Sequence, residues 1–176
     1  MIRPTTEIIG NYSKTGQVGV LGTLGTVQSE SYPIEIAKFF PGLQVYQEAC
    51  PMWVPLVENN EYDQPGADYF VQKHLDHVLN NSEGIDTLLL ACTHYPLLIN
   101  KIKQFVPENI TVVSQGEIVA QSLAEYLERH KELAEKISKN GRLSSFTTDS
   151  PVDFDTHASV FFGKPVKSKH LDLAAE

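Results

Sequence analysis

The sequence predicts an α/β protein with a parallel sheet of βαβ units, flavodoxin-like in plan, and three observations support that prediction. Short strand-like runs at Gln17–Leu21, Leu43–Tyr46, Thr87–Ala91 and Thr111–Ser114 alternate with helical stretches, the pattern of strands joined by helical crossovers. A chain of 176 residues with 41% hydrophobic content can bury roughly two thirds of its unfolded surface and build a core of one to one and a half domains. The apolar run Leu88-Leu89-Leu90-Ala91 ends in Cys92-Thr93-His94-Tyr95-Pro96, which places chemically active side chains beyond a strand's carboxyl end, where open α/β sheets bind ligands.

The elements follow in chain order. Gln17–Leu21 reads as a buried strand and Gly22-Thr23-Leu24-Gly25-Thr26 as the tight turn after it, with hydroxyls placed near the start of a helix over Val27–Phe40. Such a turn can hold a carboxylate, which makes Thr23 and Thr26 candidate substrate-binding residues; a plain strand-to-helix turn explains them equally well. It lacks a P-loop lysine and the spacing of a dinucleotide fingerprint. After Pro41-Gly42 come the strand Leu43–Tyr46, an irregular proline-bounded loop from Pro51 to Pro55 leading into a helical turn, and a helix over Gly66–Leu79. The strand Thr87–Ala91, a helix over Pro96–Phe105 and the strand Thr111–Ser114 complete the first part. Beyond it a long helix is expected over Glu117–Ile137, then a strand over Arg142–Thr147 and a final helix after Pro151. Parallel neighbours require right-handed crossovers.

Charge and composition exclude several function classes. Fourteen Lys and Arg against 22 acidic residues give a net charge of -8, and no concentrated basic face is available to neutralise nucleic-acid phosphates. An acidic substrate would have to be held locally, by N–H groups and hydroxyls, against the overall field. Two cysteines are too few for a disulfide framework and point to a reducing compartment. With no signal-like segment and no run of about 18 apolar residues, the expectation is a cytoplasmic protein without a membrane role.

Cys92 is the first candidate for a reacting group. A thiol becomes reactive beside a helix N-terminus or an imidazole, and the sequence offers both. Pro96 suits the first position of a helix, and His94, two residues on, shares a side with Cys92 if the backbone stays extended. Taken alone, a Cys-x-His more often holds a buried cysteine, because free cysteine is among the most buried residue types. His74 and His77 stand three apart on the expected Gly66–Leu79 helix without a third metal ligand at suitable spacing, so a solvated or interfacial role is expected and no metal site is assigned.

The stretch Leu90-Ala91-Cys92-Thr93-His94-Tyr95-Pro96-Leu97-Leu98 resembles the second cysteine motif of glutamate racemases. Three further segments resemble that family in its own order: Val18-Gly19-Val20-Leu21-Gly22-Thr23-Leu24-Gly25-Thr26, Ala49-Cys50-Pro51-Met52-Trp53-Val54-Pro55-Leu56-Val57-Glu58, and Phe146-Thr147-Thr148-Asp149-Ser150. The family's Asp-Ser-Gly segment and its first catalytic cysteine in Cys-Asn-Thr have no counterpart here, so the chain resembles a C-terminal portion.

The resemblance implies an isomerase that interconverts L- and D-glutamate by proton transfer between two thiols, without cofactor or metal, to supply D-glutamate for peptidoglycan. It implies Cys92 as the second-domain thiol, His94 as its partner, Glu58 as the acidic group with Glu61 as a substitute, and Thr93 as a substrate contact. Cys50 corresponds to scaffold. Residues 1–114 then form the second racemase domain, and 115–176 return to a first domain that is otherwise absent, which leaves this chain inactive alone and prone to associate, for instance as a homodimer. Two alternatives stand beside this reading: a non-catalytic glutamate-binding or partner-docking domain, and a single-cysteine decarboxylase relative.

Overall fold

A computed structural model describes residues 2–173. They divide into two compact units, one running to Arg129 and the other starting at His130.

In the first unit, a short helix α1 (Arg3–Thr6) and a 3-10 turn (Ile9–Asn11) precede β1 (Gln17–Gly22). Helices α2 (Leu24–Gln28) and α3 (Ser31–Phe39), strand β2 (Gln44–Ala49), helices α4 (Trp53–Glu58) and α5 (Pro65–Leu79), and strand β3 (Thr87–Leu90) follow. A 3-10 turn (Tyr95–Leu98), α6 (Ile99–Phe105), β4 (Thr111–Ser114) and α7 (Gln115–Arg129) close the unit. The four strands are parallel in the order β2-β1-β3-β4. This is the α/β parallel sheet expected from the sequence.

The two central strands carry the core. From Val18 to Gly22 every residue of β1 is buried, as is all of β3. Val18, Val20, Leu89 and Val113 pack with Ile9, Tyr32 and Ile36 in one cluster, each such side chain contributing about 1.5–3 kcal/mol of hydrophobic free energy. Gly19 permits close packing, since a Cβ there would stand 2.5 Å from Leu88 Cδ2 and 3.0 Å from Val78 Cγ2 of α5.

Several elements differ from expectation. The helix expected over Val27–Phe40 is broken at Glu30, which lies at φ 50°; the Ser29 hydroxyl donates to Thr26 O at 2.8 Å and accepts from Ser31 N–H at 3.4 Å, side-chain bonding that competes with helix continuation. The stretch expected as a loop from Pro51 to Pro55 holds the start of α4. Pro55 falls in its first turn, where backbone N–H groups have no intrahelical partner and proline is tolerated. Long helix Glu117–Ile137 instead ends at Arg129 and resumes only for one turn, α8 (Lys131–Ala134), after His130 leaves helical geometry.

The second unit contains α8 and a small parallel pair, β5 (Ser145–Thr147) with β6 (Ser168–His170), joined through α9 (Pro151–Phe162). Ser150 Oγ caps α9 by accepting from Asp153 N–H at 3.4 Å, and Gly163 ends it at φ 68°. Gly fits there because the left-handed region carries no Cβ penalty.

Asp86, just before β3, ties down the turn that enters β1. Its carboxylate accepts from the Ser13 hydroxyl at 2.6 Å, the Lys14 and Thr15 N–H groups at 2.7 and 3.0 Å, and the Thr87 hydroxyl at 3.1 Å. Burial pushes the carboxyl's pKa up, but these bonds outweigh it and hold it at about 2. A carboxyl held below its unfolded value of about 3.9 stabilises the fold above that pH and ceases to do so as pH falls through the folded value. Asp86→Ala is expected to lower stability by about 1–2 kcal/mol at neutral pH. In urea titrations the gap from the parent should close as pH drops from about 4 to about 2; a gap that persists at the acid end would refute this role.

Candidate active site

The sheet order reverses between β1 and β3, which makes a topological switch point while all four strands stay parallel. From β1 the chain crosses outward to β2, then returns past β1 to β3 on its other side. Ligand crevices of open α/β sheets lie at the carboxyl ends of the strands flanking such a point. Thr23 follows β1 there and Cys92 follows β3, and pairing continues one step beyond β3 through Ala91 N–H donating to Leu21 O at 2.8 Å.

Cys92 is half-buried, Thr93 exposed and Tyr95 fully buried. The chain turns at once rather than staying extended: Tyr95 N–H donates to Cys92 O at 3.3 Å and Leu97 N–H to His94 O at 3.0 Å. Thr93 and His94 lie in a turn, a 3-10 turn follows over Tyr95–Leu98, and the α-helix begins only at Ile99. This corrects the expected helix over Pro96–Phe105, and with it the idea of an α-helix N-terminus next to the thiol. What remains beside Cys92 is the imidazole.

His94 Nδ1 lies 3.9 Å from Cys92 Sγ, and His94 Nε2 lies 3.3 Å from Glu58 Oε1. The tautomer that donates from Nε2 to Glu58 leaves the Nδ1 lone pair facing the thiol. Such an imidazole can take the thiol proton, and the Glu58 carboxylate then stabilises the imidazolium. Glu58 comes from the last turn of α4, the part of that helix expected as a helical turn after the loop. The distance favours Glu58 over Glu61, which is exposed and whose backbone N–H donates to Leu56 O at 2.8 Å.

The turn is held from beneath. The Tyr95 hydroxyl donates to Cys50 O at 3.0 Å, and the Trp53 ring meets the Tyr95 ring edge-on with centroids 4.8 Å apart. Burial pushes the Tyr95 hydroxyl's pKa well up, with the nearby Cys50 and Cys92 thiols adding to the effect. Cys50 is fully buried, and burial, then the Glu48 carboxylate and Cys92, push its thiol's pKa far above the ordinary range. A thiol in that state is inert at neutral pH.

Thr23 and Thr26 are both half-buried, with hydroxyl oxygens 2.9 Å apart. Thr23 caps α2 by accepting from Thr26 N–H at 3.3 Å. Their first job is therefore local, and a ligand would have to compete for or extend that hydroxyl pair.

Gln115, the first residue of α7, was not singled out in the sequence. Its side chain donates from Nε2 to Leu90 O at 3.2 Å and accepts at Oε1 from the Tyr32 hydroxyl at 2.9 Å. It thereby fixes the carbonyl two residues before Cys92. The signal available was its position, directly beyond Ser114 on the same carboxyl edge. A hollow of about 640 Å³ in this unit lies elsewhere, lined by residues such as Tyr12, Lys103, Val113, Ile118 and Glu125.

Over 174 residues the chain is 33% identical to the glutamate racemase of Sulfurihydrogenibium sp. (strain YO3AOP1) and matches 99% of this chain and 63% of that protein. Over the same length it is 34% identical to the glutamate racemase of Persephonella marina (strain DSM 14350 / EX-H1), again over 99% and 63%. The crystal structure of a Bacillus anthracis glutamate racemase isoform superposes with a TM-score of 0.87 at 32% identity, covering 99% of this chain and 64% of that one. Over almost its whole length this chain is similar to glutamate racemases. It spans less than two thirds of the length of the curated racemases it matches. The Francisella tularensis racemase crystallised with D-glutamate is 23% identical with a TM-score of 0.81 and shares the fold. No protein-family model matches the chain.

Proposed function

We propose that this chain supplies the Cys92 half of a cofactor-independent glutamate racemase. The observation that carries the proposal is the line Cys92 Sγ, His94, Glu58 at the switch point between β1 and β3. In this reading His94 takes the thiol proton, and the Cys92 thiolate then removes the α-proton of L-glutamate; that C–H bond breaks as an S–H bond forms, and its electron pair passes into the α-carboxylate. A second thiol on the opposite face delivers a proton to the α-carbon and completes inversion. Cys50 is unsuited to that role because it is buried with its pKa raised, so this stretch of 176 residues contributes one of the two bases. The product D-glutamate would serve peptidoglycan synthesis in the cytoplasm. Residues 1–114 are read as the racemase domain that carries Cys92, and 115–176 as the segment that packs on the other racemase domain.

Thr93 and the Thr23 and Thr26 hydroxyls are the proposed contacts to the substrate carboxylates. The single accessible thiol favours binding without turnover when this chain is studied by itself. In D2O, proton NMR is expected to show the α-proton of both L- and D-glutamate retained in its presence. Both enantiomers, but not L-lysine, should slow alkylation of Cys92. Loss of both α-proton signals with optical rotation decaying to zero would overturn the assignment of Cys50, and no protection by either enantiomer would overturn the glutamate site.

A further inference from the structure

We propose that Glu48, His74 and His77 form a binding site for a divalent cation of the zinc class, separate from the Cys92 site. The sequence offers the histidines as a pair three residues apart on α5, a spacing that puts both on one helix face. The fold adds the third donor from β2. Glu48 Oε1 stands 2.6 Å from His74 Nδ1 and 3.4 Å from His77 Nδ1, and the three candidate ligand atoms lie within 4.8 Å of one another. His74 is buried, which of the solvated or interfacial roles expected for it leaves only the interfacial one.

The geometry suits a small tetrahedral ion. Zinc binds imidazole nitrogen at about 2.0–2.1 Å and carboxylate oxygen at about 2.0–2.2 Å, which places neighbouring donors about 3.3 Å apart. The Glu48–His77 separation already meets that, and the Glu48–His74 separation has to open by less than about 1 Å. Two imidazoles and one carboxylate also select the metal. Calcium and magnesium demand six or more oxygen ligands or several retained waters, whereas this donor set is that of zinc or its neighbours in the transition series. Entry is available from one side: the side chain of His77 is 54% exposed, against 8% for His74 and 19% for Glu48. A shallow hollow lined by Tyr69, Gln72, Lys73, Asp76 and His77 opens there and leaves room for water at the fourth position. Lys73 opposes a cation in that hollow and Asp76 offsets it, within a chain of net charge -8.

Bound there, the ion braces rather than reacts. It would join the carboxyl end of β2 to the C-terminal part of α5, directly behind Trp53, whose ring meets the His74 ring edge-on at 6.3 Å and the Tyr95 ring at 4.8 Å. The brace therefore lies beneath the turn that holds Cys92.

The test is a zinc titration of the whole chain carrying Cys92→Ala, with a chromophoric chelator as competitor, so that the active-site thiol is removed from the count. One zinc per chain is expected, with affinity at least tenfold lower after His77→Ala and after Glu48→Gln. His77 is exposed, so its variant should keep the parent's circular dichroism and the loss can be assigned to the ligand. Cobalt should give tetrahedral visible bands without a thiolate charge-transfer band, in the parent as in Cys92→Ala. No retained zinc, binding untouched by His77→Ala, or a thiolate band that disappears with Cys92→Ala would each overturn the proposal; the first would leave Glu48 and His74 as a hydrogen-bonded pair only.

Discussion

Brief treatment of the folded chain with iodoacetamide is expected to give a single adduct, on Cys92, with Cys50 modified at least a hundredfold more slowly. Two physical differences set that ratio. Cys92 is half-buried at a strand exit with an imidazole nitrogen 3.9 Å away, while Cys50 has no exposed surface. The reacting species is the thiolate, and burial together with the Glu48 carboxylate pushes the Cys50 thiol's pKa far up. Cys50 can therefore react only through local or global opening of the core, whose free energy in a stable domain reaches several kcal/mol, and each 1.4 kcal/mol is a factor of about ten. His94→Ala should then slow Cys92 alkylation by about tenfold at neutral pH, and Glu58→Gln by a smaller factor, because Glu58 acts through His94 rather than on the thiol. Peptide mass spectrometry reads both sites in one experiment. Equal labelling of the two cysteines would refute the burial argument, and an unchanged Cys92 rate in His94→Ala would refute the relay.

The parts legible in the sequence are those where one physical requirement dominates. Strands β1 and β3 are short buried runs with few alternatives, and they fall where the apolar pattern placed them, as do the less buried β4 and the proline-started helix α5. Cys92 was legible for the same reason, because a strand exit fixes where it emerges, whereas His94 reaches the thiol through a turn and not through the extended backbone expected. Elements whose cause is not local were hidden. In β6 the residues Ser168-Lys169-His170 are polar and pair only because β5 provides an edge in parallel register. The start of α4 looked like a loop because Pro51 and Pro55 outweighed the buried face made by Trp53, Leu56 and Val57. Gln115 and Glu48 owe their roles to neighbours contributed by other strands and helices, 25 residues away in the case of Gln115 and Leu90, and 26 in that of Glu48 and His74. Periodicity is blind to such pairs. A residue's distance along the chain says nothing about which side chains the sheet order will bring to it.

Trp53→Ala is expected to be the most damaging single substitution in the first unit, at about 3–5 kcal/mol. The ring is fully buried, and its Nε1–H donates to Phe70 O at 3.2 Å, which ties α4 to α5. Its edges meet His74 on one side and Tyr95 on the other. Truncation removes this packing, opens a cavity between α4, α5 and the Cys92 turn, and leaves the Phe70 carbonyl without its donor; Trp53→Phe would keep most of the packing and lose about 1 kcal/mol with the hydrogen bond. The cost should be measurable as a shift of the urea midpoint at unchanged slope. It should also appear in the chemistry of a residue that Trp53 does not activate. If Cys50 reacts only when the core opens, a loss of about 3 kcal/mol makes opening roughly a hundredfold more frequent. Cys50 alkylation should rise by the same factor, while Glu58, carried on the loosened α4, loses its fixed distance to His94. Matching shifts in the urea midpoint and in Cys50 labelling would tie the stability of this core to the geometry of the thiol above it. A large stability loss with Cys50 still fully protected would mean that Cys50 is guarded by a substructure independent of Trp53, and the coupling between α4 and the Cys92 turn would have to be abandoned.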